Sequence, residues 1–316
     1  MFETTTSRGL RRGWPVAAAA AALALTLTSC ANAVVPAGNQ ASNGADASIH
    51  DMLPDSVKKT GQLTIATDPT YGPPCEFYEN EGSKTMIGFE VELWNAVAKK
   101  MGVEAKPAAL SFDSLIPSVQ SGRYDMAMEC LTDSETRQKS GDFVDMFYSE
   151  VGFLTMSDNP KKVSEDPLTV CGLNVATVTG TDVSKYVPDI LDKKCLAAGK
   201  PATVPTEFPS SAQVLLALRS GRVDVTLKSV SQSQYMIRET KAPYAIFRTD
   251  SLPRKYSGPM FNKDNKALSE AWLAGVKAIQ KDGQYQAIMD KWGLNGLELN
   301  DPGINLATAR PLVAPK

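Results

Sequence analysis

The feature that most constrains the fold of this chain is an internal repeat. Residues 115–128 read LIPSVQSGRYDMAM, and residues 214–227 read VLLALRSGRVDVTL. Each copy is an apolar helical stretch that ends at Ser-Gly-Arg and continues into a short apolar strand opening with Asp. Gly122 and Gly221 stand where a helix commonly ends in a left-handed residue. The repeat therefore predicts two similar helix–strand units.

A second pair of similar segments precedes the two copies. Residues 63–68 read LTIATD and residues 173–178 read LNVATV, each an apolar strand that enters a loop. Because both halves pass from strand through helix to strand, we predict an α/β fold of two lobes, each a mostly parallel sheet flanked by helices. Such sheets bind ligands beyond the carboxyl ends of their strands, so a cleft that closes about a hinge is expected.

Further helices are predicted from apolar residues at helical spacing. Residues 88–101 (GFEVELWNAVAKKM) form one, which Gly102 is expected to end, and residues 267–292 form two with a break between them. The residues predicted to face the core are Phe89, Leu93, Ala96, Val97, Leu268, Trp272, Val276, Ile279, Tyr285, Ile288, Met289 and Trp292.

Residues 1–29 have the layout of a secretory signal. Arg8, Arg11 and Arg12 come first, and an apolar, Ala-rich stretch and small residues follow. The apolar stretch is short for a membrane span. The next residues are rich in Ala, Asn, Gly and Ser, so residues 30–57 are predicted to form a flexible tether.

Charge and composition exclude several classes of function. Without residues 1–29 the chain has 30 Lys and Arg residues against 34 Asp and Glu residues, so no nucleic-acid partner is expected. The single histidine, His50, lies in the predicted tether, which leaves no Ser-His or Cys-His arrangement. The sequence has no Gly-rich phosphate loop and no metal-ligand motif, so no cofactor or metal is expected. Asp68 and Glu129 leave acid–base catalysis open.

Apart from Cys30 the chain has four cysteines. This even number suits two disulfides, which persist in an exported protein. Three pairings are possible. Cys171 and Cys195 flank one βα unit and are predicted to pair, which leaves Cys75 and Cys130 for the second disulfide. Metal binding is the weaker interpretation, because no two of these cysteines have a short ligand spacing.

Residues 88–101 resemble the signature of bacterial extracellular solute-binding proteins of family 3, the polar amino-acid receptors of ABC importers. The resemblance covers residues 58–294 and includes ATDPTYGPPCEF, SFDSLIPSVQSGRYD, LTDSETR, VTGTD, LRSGRVD and DGQYQAIMDKWG. It implies the type II periplasmic-binding-protein fold. Lobe 1 is expected over residues 58–149 plus 257–303, lobe 2 over residues 150–256, and a C-terminal tail over residues 304–316.

The resemblance also implies a function and a location. The expected function is capture of a polar amino acid or amino-acid derivative by a monomer, for delivery to an ABC permease. Residues 27–30 (LTSC) resemble the bacterial lipobox, which implies that Cys30 becomes a lipidated first residue. That lipid alone would then hold the protein outside the cytoplasm, on the outer face of the cell membrane. A plain cleaved signal is the alternative.

The family's ligand site can be carried over by position. Arg137 matches the arginine that clamps the ligand's α-carboxylate, a role that suits the two parallel hydrogen bonds of a guanidinium. Thr132 and Thr181 match two hydroxyl donors, and Tyr71 and Phe112 match two aromatic walls. Asp68 matches a residue that contacts the ligand's far end.

The sequence departs from the family pattern at the ammonium site. Ser229 stands where the family usually has an Asp for the ligand's α-ammonium, and Glu129 and Cys130 stand where small residues are usual. One hypothesis joins the departures: a Cys75–Cys130 disulfide ties the ligand loop to the neighbouring strand, and Glu129 supplies the missing anion. Alternatively, Glu129 faces solvent and the ligand is not a standard α-amino acid, or Lys228 selects an acidic ligand.

Two other classes of function remain as alternatives. Some proteins of this fold have dehydratase activity in the same cleft, so a cleft enzyme is one alternative. A sensor or adhesin that keeps the binding fold is the other.

Overall fold

The computed structural model describes residues 44–70, 72–179 and 181–312. Its strands are β1 (Gln62–Thr67), β2 (Phe77–Tyr78), β3 (Met86–Ile87), β4 (Glu104–Ala109), β5 (Met126–Ala127), β6 (Asp142–Ser149), β7 (Val151–Met156), β8 (Asn174–Val178), β9 (Val204–Phe208), β10 (Val225–Ser229), β11 (Tyr244–Phe247), β12 (Lys255–Ser257), β13 (Met260–Phe261) and β14 (Glu298–Ile304).

The helices lie between and around these strands. They are α1 (Ala47–Asp51), α2 (Asp55–Thr60), α3 (Phe89–Met101), α4 (Phe112–Gln120), α5 (Glu135–Gln138), α6 (Asp182–Tyr186), α7 (Asp192–Ala197), α8 (Ser211–Arg219), α9 (Val230–Thr240), α10 (Lys266–Lys281), α11 (Gln284–Trp292) and α12 (Leu306–Ala309). No helix of the described ranges is both long enough and apolar enough to cross a membrane.

The strands form two main sheets. The first has the order β12-β6-β13-β5-β1-β4, with β14 also paired to β6, and the second has the order β11-β7-β10-β8-β9. The strands β2 and β3 form a separate antiparallel pair. The chain therefore makes an α/β structure with two sheets, and each sheet is flanked by helices.

The repeat in the sequence corresponds to the same unit in each sheet. In the first sheet, α4 leads into β5, which pairs parallel to β1; in the second, α8 leads into β10, which pairs parallel to β8. Gly122 and Gly221 have φ values of 71° and 70°, the left-handed conformation that was expected. The repeated Asp has a local role: Asp125 accepts hydrogen bonds from Thr64, and Asp224 accepts them from Asn174, at the start of the adjacent parallel strand.

Each sheet combines a parallel centre with antiparallel strands. The strands β4, β1 and β5 are parallel, as are β9, β8 and β10, but β6, β7, β11, β12 and β13 pair antiparallel. The chain passes from β6 in one sheet to β7 in the other with only Glu150 between them. Consecutive parallel strands of one sheet need a crossover connection. A strand that enters from the other sheet is not under this constraint and can pair antiparallel.

The predicted core helices are confirmed. The helix α3 ends at Gly102, which has φ 70°, and the break between α10 and α11 lies at Gly283, which has φ 82°. Of the twelve predicted core residues, eleven are buried and Ala96 is half-buried against the same cluster. These helices therefore share one apolar core with the strands of the first sheet.

The prediction of a flexible tether over residues 30–57 is wrong for its last part. The helix α1 and the start of α2 lie there, and His50 belongs to α1, where its Nδ1 atom lies 2.9 Å from the carbonyl of Met101. Ile49, Leu53 and Val57 are buried in the core of the first sheet. Ile49 belongs to α1, Leu53 to the connection between the helices and Val57 to α2, and this apolar set was missed in the prediction.

Two predicted boundaries also shift. Lys255 opens β12, which pairs with β6 of the first sheet, so the chain returns to this sheet two residues before the predicted boundary at residue 257. The predicted tail over residues 304–316 is not free between residues 304 and 312. There, the backbone N–H of Leu306 donates to Asp145 at 2.8 Å, and that of Ala307 donates to Asp133 at 2.9 Å.

Candidate ligand-binding cleft

A cleft of about 370 Å³ lies at the carboxyl ends of the parallel strands, between the two sheets. Its volume is in the range of small-molecule sites, and its position is the one expected for open α/β sheets. Both sheets contribute to its wall, so a bound solute contacts both. Six of the eight residues predicted to bind ligand line it: Phe112, Glu129, Thr132, Arg137, Thr181 and Ser229.

Arg137 is held in the cleft by the loop that precedes it. Its Nη1 atom donates to the carbonyl oxygen and to the hydroxyl of Thr132, both at 2.9 Å. The hydroxyl of Ser134 caps α5 by accepting from the backbone N–H of Arg137 at 3.2 Å. These contacts orient a guanidinium whose planar donors suit a carboxylate.

Phe112 forms an aromatic wall beside this arginine. Its side chain is 38% exposed, which is unusual for phenylalanine, and its ring centre lies 6.0 Å from the guanidinium carbon of Arg137. The carboxylate of Asp68 holds the start of α4 by accepting from the backbone N–H of Phe112 at 2.9 Å. Asp68 also accepts from the backbone and hydroxyl of Thr70 and does not line the cleft. It therefore ties two loops together behind the wall, whereas contact with the ligand was expected. Tyr71, the other predicted wall, lies outside the described residues.

The second sheet contributes hydroxyl groups to the cleft. Thr181 precedes α6 and donates its hydroxyl proton to the carbonyl of Val178 at 2.8 Å. Ser229 precedes α9, where its hydroxyl lies 3.0 Å from that of Ser231 and accepts from the backbone N–H of Gln232 at 3.5 Å. Ser229 is thus a neutral helix cap at the position where the family resemblance predicts an ammonium-binding carboxylate.

Glu129 lies deep in the wall of the cleft and is 1% exposed. One carboxyl oxygen accepts from the backbone N–H of Asp68 at 2.8 Å, and the other has no hydrogen-bond partner in the described part of the chain. Burial raises the pKa of Glu129 to about 8 and the charge of Asp68 adds to the effect, so the carboxyl is mostly neutral at pH 7. In the ligand-free cleft Glu129 is therefore a neutral group, whereas an anion was expected there in place of the one missing at Ser229.

Both predicted disulfides are confirmed: Cys75 is bonded to Cys130, and Cys171 to Cys195. The Cys75–Cys130 disulfide lines the cleft and joins the loop after β1 to the segment after β5. The backbone N–H of Cys130 donates to Glu90 at 2.7 Å, and burial raises the pKa of Glu90 to about 8. Glu90 follows Phe89 at the start of an otherwise apolar helical face. A charged residue on such a face was the only signal in the sequence that could have identified Glu90 as a buried carboxyl.

A cluster of charges lies where the chain crosses between the sheets. Glu150 is the residue between β6 and β7, and it lines the cleft. It forms ion pairs with Arg248, at 2.7 Å, and with Arg254. Arg248 also donates to the carbonyls of Asn295 and Gly296, both at 2.9 Å. The second crossover, between β11 and β12, is therefore fastened to the first crossover and to the loop after α11. Sequence reasoning missed this cluster because its members are far apart in the chain.

Comparison with known proteins gives the family. The model of bacterial extracellular solute-binding proteins, family 3, matches residues 63–295. The arginine-binding protein ArgT of Corynebacterium glutamicum is 29% identical over 265 residues, which cover 81% of this chain and 82% of that protein. The L-cystine-binding protein TcyJ of Escherichia coli is 28% identical over 243 residues, which cover 76% of this chain and 85% of that one.

Solved structures agree with this result. An ancestral arginine-binding protein bound to arginine is 27% identical with a TM-score of 0.54, over 73% of this chain and 98% of that one. An ancestral cationic amino acid solute-binding protein shares the fold, with a TM-score of 0.63 at 24% identity, over 75% of this chain and 98% of that one. These relatives are binding proteins rather than enzymes, and their fold is the two-lobe type II fold that the sequence predicted. The chain belongs to the bacterial extracellular solute-binding proteins, family 3.

Proposed function

We propose that the cleft captures an amino acid or amino-acid derivative through its carboxylate and that the loaded protein delivers this solute to an ABC permease. The observation that carries the proposal is the position of Arg137. Its guanidinium is oriented by the two hydrogen bonds that it donates to Thr132, and it stands beside the exposed ring of Phe112 in the wall of the cleft. A fixed cation beside an apolar surface suits a small molecule with a carboxylate and a carbon chain.

The relatives support the amino-acid class of the ligand. ArgT is named for arginine and TcyJ for L-cystine, and both names describe molecules with an α-carboxylate. In our proposal Tyr71 is the second aromatic wall, and Thr181 and Ser229 donate hydrogen bonds from the second sheet once the solute is bound. The wall holds no described group that requires a cofactor, and the proposed mechanism is binding without chemistry by a monomer.

Closure of the two lobes is the proposed motion. Lobe 1 comprises residues 58–149 and the segment from about residue 255 to residue 303, and lobe 2 comprises the residues between them. The distribution of strands over the two sheets supports this division. The crossovers fastened by Glu150 and Arg248 form the hinge. A solute shifts the balance toward the closed form only by its preference for that form, so contacts with both lobes are required.

We further propose that residues 1–29 direct export and that Cys30 is lipidated. The lipid would keep the binding protein on the outer face of the cell membrane, beside its permease. The supporting observations are the signal-like composition of residues 1–29 and the LTSC segment. This part of the chain lies outside the described residues.

A thermal-shift screen of the exported protein without its lipid tests the proposal. The panel contains amino acids, dicarboxylates and amino-acid derivatives, and a ligand at about 100 times its Kd should raise the free energy of unfolding by about 2.7 kcal/mol. Arg137→Met should remove the shift, while Arg123→Met, at an exposed arginine that does not line the cleft, should preserve it. A shift that survives in Arg137→Met contradicts the proposed site, and silence across the panel contradicts the proposed ligand class.

A further inference from the structure

The described wall of the cleft carries cationic side chains from both parts of the fold. Arg137, Lys228 and Lys255 line it, and the carboxyl groups among its described side chains are Glu129 and Glu150. Neither carboxyl is available to a solute as a free anion. Glu150 is paired with two arginines, and the unpartnered oxygen of Glu129 is buried in the wall. A cationic group of a solute therefore meets no free carboxylate among the described side chains of the wall.

Lys228 stands out among these cations. It lies at the end of β10, opposite Gly152 of β7, and its amine donates to the hydroxyl of Ser211 at 3.0 Å. Throughout the described residues, no carboxylate lies within 4.0 Å of this amine, and burial lowers the pKa of Lys228. A half-buried ammonium without a counterion is costly, and an anion from a ligand offsets that cost.

The residue after Lys228 offers no carboxylate to an ammonium group of the ligand. Ser229 is neutral and serves as the cap of α9. The second sheet thus presents an ammonium and hydroxyls to the cleft, where the family usually presents a carboxylate. Its described part has the reverse of the charge needed for the α-ammonium or the cationic side chain of a basic amino acid.

We propose that Lys228 is the second anion-binding group of this cleft and that the solute is a dicarboxylate, with one carboxylate on Arg137 and the other on Lys228. This inference rests on the proposed function and specifies its ligand class. Both acidic amino acids and plain dicarboxylic acids have the required chemistry, namely two carboxylates on a short carbon chain.

The placement of the two cations connects charge recognition to closure. Arg137 follows β5 of the first sheet, and Lys228 is the penultimate residue of β10 in the second. A dicarboxylate engages both and so stabilises the closed form. A monocarboxylate engages Arg137 and leaves the ammonium of Lys228 without a counterion, so it gains little from closure. A cationic amino acid places like charges together as the lobes close.

Isothermal titration calorimetry with four probes tests the inference. L-glutamate and glutarate carry two carboxylates, L-glutamine carries one, and L-arginine carries a cationic side chain. We expect the wild-type protein to bind at least one dicarboxylate more tightly than L-glutamine or L-arginine. Lys228→Met should weaken dicarboxylate binding by about 10- to 100-fold, the value of one charge-assisted hydrogen bond, and leave L-glutamine binding unchanged. The order of L-glutamate and glutarate shows whether an ammonium is recognised as well.

Two further variants sharpen this test. Lys193→Met removes a lysine that is 73% exposed on α7, outside the cleft, and should leave all four affinities unchanged. Lys228→Glu restores a carboxylate at the edge of the second sheet and should move the preference from dicarboxylates toward L-arginine.

The outcomes separate the inference from the function on which it rests. If L-arginine or L-glutamine binds more tightly than both dicarboxylates, or if Lys228→Met weakens L-glutamate and L-glutamine binding equally, the inference is wrong and the proposed function stands. If no probe binds and the wider thermal-shift panel is also silent, the proposed function fails and the inference fails with it.

Discussion

Buried carboxyl groups lead us to predict that this protein loses stability as the pH rises from about 5 to 8. Burial is the main cause that raises the pKa values of Glu90, Glu129 and Asp145, each to about 8, and the charge of Asp133 adds to the effect at Asp145. In the unfolded chain these groups titrate near their ordinary values of 4.5 for Glu and 3.8 for Asp. The folded state therefore holds more protons across this interval.

The sign of the effect follows from proton linkage. A carboxyl whose folded-state pKa is raised contributes its full stabilisation below the unfolded pKa, and that contribution is lost as the pH rises through the folded pKa. The slope approaches about 1.4 kcal/mol per pH unit for each group. For Glu129 the two pKa values differ by about 3.5, so the free energy of unfolding falls by up to about 5 kcal/mol from a pH below the unfolded pKa to a pH above the folded one, and most of this loss lies between pH 5 and 8.

Urea unfolding of wild type and of Glu129→Gln at pH 5 and pH 9 measures this contribution. Glutamine has the shape of a protonated glutamate, so the two proteins should differ by less than about 1 kcal/mol at pH 5. At pH 9 the variant should be more stable by several kcal/mol. Glu81→Gln, at an exposed position, is the matched control and should follow the wild type at both pH values. Parallel pH profiles for wild type and Glu129→Gln would refute the reasoning.

Three other predictions concern the disulfide, the hinge and the anchor. Replacing Cys75 and Cys130 by serine opens a link across 55 residues and should lower the free energy of unfolding by about 4 kcal/mol in urea titrations, and an unchanged midpoint contradicts this. Arg248→Met removes the ion pair with Glu150 and two carbonyl contacts, so small-angle X-ray scattering of the ligand-free protein should show a larger radius of gyration; an identical profile argues against a hinge there. Cys30→Ser should move the protein from the membrane fraction to the soluble fraction, and membrane retention contradicts the lipid anchor.

The fold could be predicted from the sequence because its determinants are local and repeated. The two Ser-Gly-Arg segments each end a helix with a left-handed glycine and start a strand that pairs with an earlier one, so the pattern predicts both parallel centres. The antiparallel strands gave no such signal. Only Glu150 separates β6 from β7, and nothing in this short segment indicates that the two strands belong to different sheets.

The site was predicted in part, for a different reason. Thr132 and Arg137 lie in one short motif and Phe112 in another, both shared with the family, and the structure brings the three together in the cleft. The environments of Glu129 and Lys228 depend on burial and on residues distant in the chain. The sequence alone therefore did not indicate that Glu129 is mostly neutral at pH 7 or that Lys228 lacks a counterion in the described structure.

A crystal structure of the exported protein with its strongest hit from the thermal-shift screen tests the central claim most directly. We expect a solute between the two lobes, with one carboxylate within hydrogen-bonding distance of the guanidinium of Arg137 and its carbon chain against the ring of Phe112. A solute bound outside the cleft, or one that leaves Arg137 without a contact, would contradict the account.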